Sequence, residues 1–374
     1  MDKTFAKSLL YTLPMSLITF LLMTKGSLDF SDPLMGISVL SVFLLVNVLY
    51  FMMHFTGKTD KYRAVLFILF ALALSFSVIH HMLDARNSMS YSRADLLECK
   101  QPFCHLVIPM MILPAAVTKS IIFPGSILGG FADISSMIVI WLVALIVLGR
   151  GFCSWGCFYG GWDDGFSRFR RKPLIKHINS IWKWMPFAML LMVMLTAAIA
   201  MMPTYCRWIC PFKAVTEFEK VTSVASAARA GIFLSLFGGL VITLPILTGK
   251  RSQCSFLCPL GAINTLSNKI TPFIVKIDKA SCNECYRCIS VCPLYAITKE
   301  DINKGRASVF CSKCGKCTDI CPNNAIHFSI KGISEGKMKN FSRNIFLFVS
   351  FLFMSVFAGG PIVSCIHSLL KFLF

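Results

Sequence analysis

The chain has 374 residues, 56% of them hydrophobic and only 15% charged, with a mean hydropathy of +0.68. That composition excludes a soluble protein built round one core and predicts an integral membrane protein. The 37 Lys and Arg against 18 Asp and Glu are read as a topology signal, with no nucleic-acid partner expected, and the 17 Cys are too many for incidental packing.

Apolar, charge-free runs at 8–24, 34–53, 65–79, 134–149, 185–202, 231–249 and 345–369 predict an α-helical membrane protein of about seven transmembrane helices. The first run is read as an anchor, because no small-x-small cleavage site follows Leu21 and Leu22. Stretches 1–7, 56–63 and 150–184 carry twelve Lys and Arg, against ten over the much longer stretches assigned to the other side. Positive residues resist translocation, so the expected topology in a prokaryotic inner membrane has the N-terminus inside and the C-terminus outside. The hydrophilic block 250–342 then lies in the cytoplasm. Segment 105–130 is also apolar, but Pro109, Pro114 and Pro124 break it and Lys119 sits within it. It is read as a re-entrant or interfacial hairpin on the outer side.

Four close cysteine pairs punctuate the spans: Cys99/Cys104, Cys153/Cys157, Cys206/Cys210 and Cys254/Cys258. A pair cannot fill an iron–sulfur cubane alone, but two pairs can. Cys153/Cys157 follow the fourth span and Cys254/Cys258 the sixth, so these four are expected to hold one cluster at the inner face. Cys99, Cys104, Cys206 and Cys210 are expected on the outer side, where a second cluster competes with disulfides formed within each pair. A cluster with four thiolates is anionic, and Arg150, Arg207, Lys213, Lys250 and Arg251 flank these pairs as candidate compensating charges. The basic run Arg168–Lys172 is read as a headgroup and positive-inside signal.

From Cys282 the spacing is C-x2-C-x2-C-x3-C-P, and the pattern repeats at Cys311; both copies run on into Ala-Ile. This spacing wraps three thiolates round one cubane and sends the fourth to its neighbour. Cys282, Cys285, Cys288 and Cys321 are therefore assigned to one [4Fe–4S] cluster, and Cys311, Cys314, Cys317 and Cys292 to another. Zinc gives no reason for two run-together repeats, and cytosolic disulfides are disfavoured. Cys365, alone in the last span, is read as packing.

Residues 274–330 closely resemble the two-cluster bacterial ferredoxin, which implies a small α+β module for one-electron transfer. Gly149-Arg150-Gly151-Phe152-Cys153-Ser154-Trp155-Gly156-Cys157 and Cys254-Ser-Phe-Leu-Cys258-Pro259-Leu260-Gly261-Ala262 are similar to motifs of the membrane-bound polyferredoxins. That family includes the quinol-dehydrogenase membrane subunit of periplasmic nitrate reductase systems, the nitrous-oxide reductase maturation protein and the cytochrome-oxidase accessory polyferredoxin. The chain departs from the pattern at Phe158, where Pro is usual, and in the extra pair Cys206/Cys210 and the span after the ferredoxin module.

The expected organisation is a six-span domain over 1–250, a C-x3-C-P linker over 251–273, a ferredoxin-like domain over 274–330 and a C-terminal transmembrane helix within 331–374. Haem is not expected: no C-x-x-C-H is present, and His54 lies at the opposite membrane face from His80 and His81, which have only His105 nearby. The expected function is electron transfer between the cytoplasmic head and quinone or an outer-side redox partner. The alternative is an assembly factor that reduces the metal centre of a partner enzyme.

Overall fold

A computed structural model describes residues 3–24, 32–87, 108–118, 134–170, 172–175, 179–201, 204–216, 223–333 and 338–373. Helices α1 (Lys3–Thr24), α2 (Pro33–Thr56) and α3 (Thr59–Asn87) form the first apolar layer. Asp32 caps α2 by accepting from Leu34 N and Met35 N, Pro33 occupies the first turn, and Gly57 closes the helix at φ 74°. A polar pin joins α1 to α2, with Ser16 Oγ donating to Asn47 Oδ1 at 2.8 Å and Asn47 Nδ2 to Thr19 Oγ1 at 3.1 Å. Such contacts supply direction between helices where apolar packing alone discriminates poorly.

Helix α4 (Ile108–Thr118) is the described part of the expected hairpin, and it packs against α8 (Met185–Ala200). Between them come α5 (Ile134–Leu148), α6 (Phe152–Trp155) and α7 (Phe158–Ser167). After α8 follow α9 (Thr204–Trp208), α10 (Lys213–Thr216) and α11 (Val224–Leu236), which continues through a π-helical stretch Phe237–Thr243 into α12 (Leu244–Thr248). Helices α13 (Ser252–Phe256) and α14 (Pro259–Ser267) lead to the head. There β1 (Phe273–Ile277) pairs antiparallel with β2 (Ile326–Ile330), from Phe273 opposite Ile330 to Ile277 opposite Ile326. Three short helices lie between the strands: α15 (Arg287–Val291), α16 (Lys299–Asn303) and α17 (Lys316–Ile320). Last comes α18 (Lys339–Leu373), which packs on α2 and α3. Its Phe346 stacks on Phe328 at 4.3 Å and meets Phe273 edge-on, so the sheet rests on the start of this helix.

Five helical stretches among the described residues are long and apolar enough to cross a membrane, or six if the pair bent by 43° at Val139–Trp155 and Phe158–Ser167 is one span. Seven were expected; the run 65–79 lies inside α3, and 134–149 makes up α5 and the turn after it.

The segment 150–184, expected as a basic loop, instead begins with two buried helices. Two glycines allow their close approach. A Cβ at Gly160 would stand 2.2 Å from the Cys153 carbonyl oxygen, and one at Gly161 would stand 2.5 Å from the Phe67 carbonyl oxygen. Gly161→Ala should therefore push α7 off α3 and destabilise the protein by about 1–3 kcal/mol, as overpacking does. Thermal unfolding in detergent measures this; an unchanged midpoint would show that α7 does not sit against α3.

Candidate functional site

The doubled cysteine motif builds two cavities in the head. One is lined by Cys282, Cys285, Cys288 and Cys321. The other is lined by Cys292, Cys311, Cys314 and Cys317. The fourth cysteine of each repeat crosses over because α15 and α17 pack together and end at Cys292 and Cys321. Left-handed residues turn the C-x2-C loops, with φ 53° at Glu284, 55° at Tyr286, 52° at Lys313 and 87° at Gly315. The turn at Lys313 aims its N–H at Cys311 Sγ at 3.4 Å, and the left-handed Tyr295 (φ 53°) precedes Ala296, whose N–H donates to Cys292 Sγ at 3.2 Å. Burial pushes the Cys311 thiol up to about 12 and the neighbouring Cys292 adds to the shift. A thiol held neutral in a dry pocket must release its proton to bind metal.

Beside the head, three C-x3-C motifs share one backbone form. The second cysteine's N–H reaches back five residues, from Cys157 to Phe152 O at 3.1 Å, Cys210 to Tyr205 O at 2.9 Å and Cys258 to Gln253 O at 3.1 Å. Cys157 and Cys258 are extended and precede helices α7 and α14. The next position opens the helix, which suits Pro259 but does not require proline; Phe158 serves equally.

Cys153, Cys157, Cys254 and Cys258 are all buried, and the other three thiols act electrostatically on Cys254. Burial, then Asp163 and the other three thiols, raises the Cys254 thiol well above its ordinary value. Asn264 Nδ2 donates to Cys153 Sγ at 3.1 Å, and Cys254 N to Asp163 Oδ2 at 2.9 Å. Three of the five flanking cations come inside: Arg150 donates to Cys254 O at 3.3 Å, Lys250 Nζ to Cys292 O at 2.8 Å, and Arg251 Nη1 to Ser154 Oγ at 2.8 Å. Lys213 N donates to Cys210 O, while Arg207 is exposed.

The sequence reading missed the groups that join head to membrane domain. Arg63, fully buried, donates from Nε to Cys314 O at 3.1 Å, from Nη1 to Ser154 O at 2.8 Å, and from Nη2 to Asp60 and Asp164 at 2.7 and 2.9 Å. Arg251 Nε donates to Asp164 Oδ1 at 3.0 Å. Arg168, expected as part of a headgroup signal, pairs with Asp60 at 2.6 Å and Asp164 at 3.1 Å. Asp319 of the head accepts from Thr59 N and Asp60 N, Trp155 Nε1 donates to Lys313 O, and Lys313 Nζ reaches Leu148 O and Asn268 Oδ1. Burial brings the Lys313 ammonium down to about 7. The available signal was the Asp163-Asp164 pair in mostly apolar surroundings, where buried charges are rare unless partnered.

Of the set expected on the outer side, Cys206 and Cys210 are described. After α8 the chain turns back through Met201 at φ 49°, and Thr204 returns to Thr196 at 2.8 Å. Tyr205, fully buried, then accepts from Gln253 Nε2 at 3.1 Å, and the Cys210 thiol lies within hydrogen-bonding reach of Tyr159. Cys206 and Cys210 thus stand beside the Cys157 and Cys254 motifs, not a membrane's width away. Cys99 and Cys104 lie outside the described residues, as does His105. His54 packs against Tyr11 and Tyr50, and Cys365 is half-buried on α18. None of the described cysteines is joined in a disulfide. Among the described residues, no three His, Cys, Asp or Glu side chains converge closely enough for a single metal ion.

Helices long and apolar enough to cross a membrane, together with a head holding two cysteine-lined cavities, are the features of a membrane iron–sulfur protein. The 4Fe-4S dicluster domain family matches 274–335, and the 4Fe-4S binding domain family matches 131–176, 182–220 and 230–278, one match round each C-x3-C motif. The chain is 26% identical over 160 residues to the ferredoxin-type protein NapH of Haemophilus influenzae, covering 41% of this chain and 51% of that protein. It is 27% identical over 173 residues to the methylamine utilization ferredoxin-type protein MauN of Methylobacillus flagellatus, covering 46% and 58%. Against NapH of Escherichia coli the identity is 24% over 161 residues, covering 43% and 53%. The chain spans about half the length of these relatives, and no solved structure matches it. With these relatives and domains, the chain resembles the membrane-bound polyferredoxins.

Proposed function

We propose that this protein relays single electrons between a cytoplasmic ferredoxin-type head and quinone or an outer-side redox partner. The carrying observation is the pair of head cavities, each lined by four crossed cysteines, next to a third set of four buried thiols. In this reading Cys282, Cys285, Cys288 and Cys321 hold one [4Fe–4S] cluster, Cys292, Cys311, Cys314 and Cys317 a second, and Cys153, Cys157, Cys254 and Cys258 a third. Cys206 and Cys210 are two ligands of a further set. When bound, each cluster supplies one-electron redox chemistry. The chain's own residues hold the thiolates, exclude water and offset the charge through Arg150, Lys250 and inward amides.

The inside-facing topology is supported by where segments meet. Thr59 and Asp60 from 56–63, Ser154 from 150–184 and the head's Cys314 and Asp319 all gather at one end of the helices. Asp32 and His367 approach to 3.6 Å at the ends of α2 and α18 remote from the head. In this reading seven spans, counting α3 and α5, anchor an α+β head over 274–330.

Iron and acid-labile sulfide per anaerobically purified chain test the assignment. About 12 of each are expected, and about 16 if the Cys206/Cys210 set is filled. About 8 would confine the clusters to the head and remove the membrane-side relay.

A further inference from the structure

The head and the membrane-side thiol set are joined by buried charge rather than by apolar packing alone. Arg63 touches Cys314 O of the head and Ser154 O, which lies between Cys153 and Cys157. Arg251 touches Ser154 Oγ and, at 3.4 Å, Cys153 O. Asp164 receives both arginines, and Arg168 and Asp60 complete the group. Three guanidiniums face Asp60 and Asp164 at the junction, with Lys316, Asp163 and Asp319 beside them. The other cysteine cavity of the head faces away: Cys285 is exposed there, with the half-exposed Tyr286 beside it.

On the ligand assignment above, we propose that Arg63 and Arg251 are positioning residues that lock the Cys292/Cys311/Cys314/Cys317 pole of the head onto the Cys153/Cys157/Cys254/Cys258 set and raise the electron affinity of both. An electron leaving one of these sites reduces the other by one electron. Arginine keeps its proton throughout, so the charge bias that Arg63 and Arg251 supply is constant. A unit charge about 10 Å from a site, at an effective dielectric of about 20, changes its reduced-to-oxidised ratio about tenfold. For a one-electron couple that is about 59 mV.

The test is a potentiometric titration, followed by electron paramagnetic resonance, of the anaerobic full-length protein and its Arg63→Gln, Arg63→Lys and Arg251→Gln variants. Arg63→Gln should lower the electron affinity of the two junction sites about tenfold and leave the Cys282/Cys285/Cys288/Cys321 site unchanged. Arg63→Lys should restore most of the shift. Unchanged potentials with iron retained would overturn the proposal, as would an equal shift at all three sites or the same shift from Gln and Lys. If Arg63→Gln loses iron, Arg251→Gln carries the same comparison. Limited proteolysis of that iron-poor preparation then reads the lock: release of the head supports it, and a head as protected as in the unaltered protein sinks it. The iron count of the unaltered protein decides the cluster assignment separately, since a chain that never holds clusters fails before any variant is compared.

Discussion

Cys153→Ser and Cys254→Ser should each remove the same set of about four irons from a total of about 12, and the double variant should remove no more. The two cysteines are far apart in sequence and sit on different helices, α6 and α13, yet both are buried at one place. Asn264 fixes the Cys153 thiol, and Asp163 fixes the Cys254 backbone. A cage built from two C-x3-C turns fails as a unit, because neither half supplies four thiolates. Iron analysis with Mössbauer or paramagnetic resonance spectra of the three variants checks this. Separate, additive losses would mean that the two motifs serve different sites. The head's clusters should be unaffected in all three, since their eight cysteines line cavities of their own.

Asp164→Ala should be the most damaging single change away from the cysteines. Asp164 is fully buried and receives Arg63 at 2.9 Å and Arg251 at 2.8 Å, with Arg168 at 3.1 Å. Removing the carboxylate leaves Arg63 and Arg168 with Asp60, and takes from Arg251 its ion pair, with Asp163 close by. Breaking a buried ion pair in this way costs about 3–5 kcal/mol, because an uncompensated charge remains in a medium that solvates it poorly. The expected result is loss of thermal stability in detergent and loss of the head's protection from protease. A variant that unfolds at the unaltered temperature with the head still protected would show that the junction does not depend on this carboxylate. Arg168→Ala is a useful comparison, since Arg168 is partly exposed and its removal leaves Asp164 with two partners.

Much of the molecule was legible before folding was considered. Apolar runs of membrane length became α1, α2, α8 and α18, because helices satisfy their own backbone groups wherever lipid supplies no partners. The head's cysteines were legible because C-x2-C-x2-C-x3-C is a local spacing: a loop and one helical turn present three thiols together, and the crossing of the fourth follows from the duplication. Arg150, Lys250 and Arg251 were found as flanking cations because they stand beside the cysteine pairs in sequence. The partners they reach, Cys254 O, Cys292 O and Ser154 Oγ, lie 104, 42 and 97 residues away.

What the sequence by itself determined, then, was the membrane class, the ferredoxin-like head and where the cysteine motifs fall, since each rests on composition or short-range spacing. Tertiary structure alone decided which motifs stand together. Cys206 and Cys210 were expected on the far side from span counting, but the left-handed turn at Met201 and the contact of Tyr205 with Gln253 return them to the Cys254 motif. The Arg63–Asp164–Arg251 junction was equally hidden, because its members come from α3, α7 and the residue before α13. Buried charges need partners at hydrogen-bond distance, and only the packed fold supplies those across about a hundred residues or more of intervening chain.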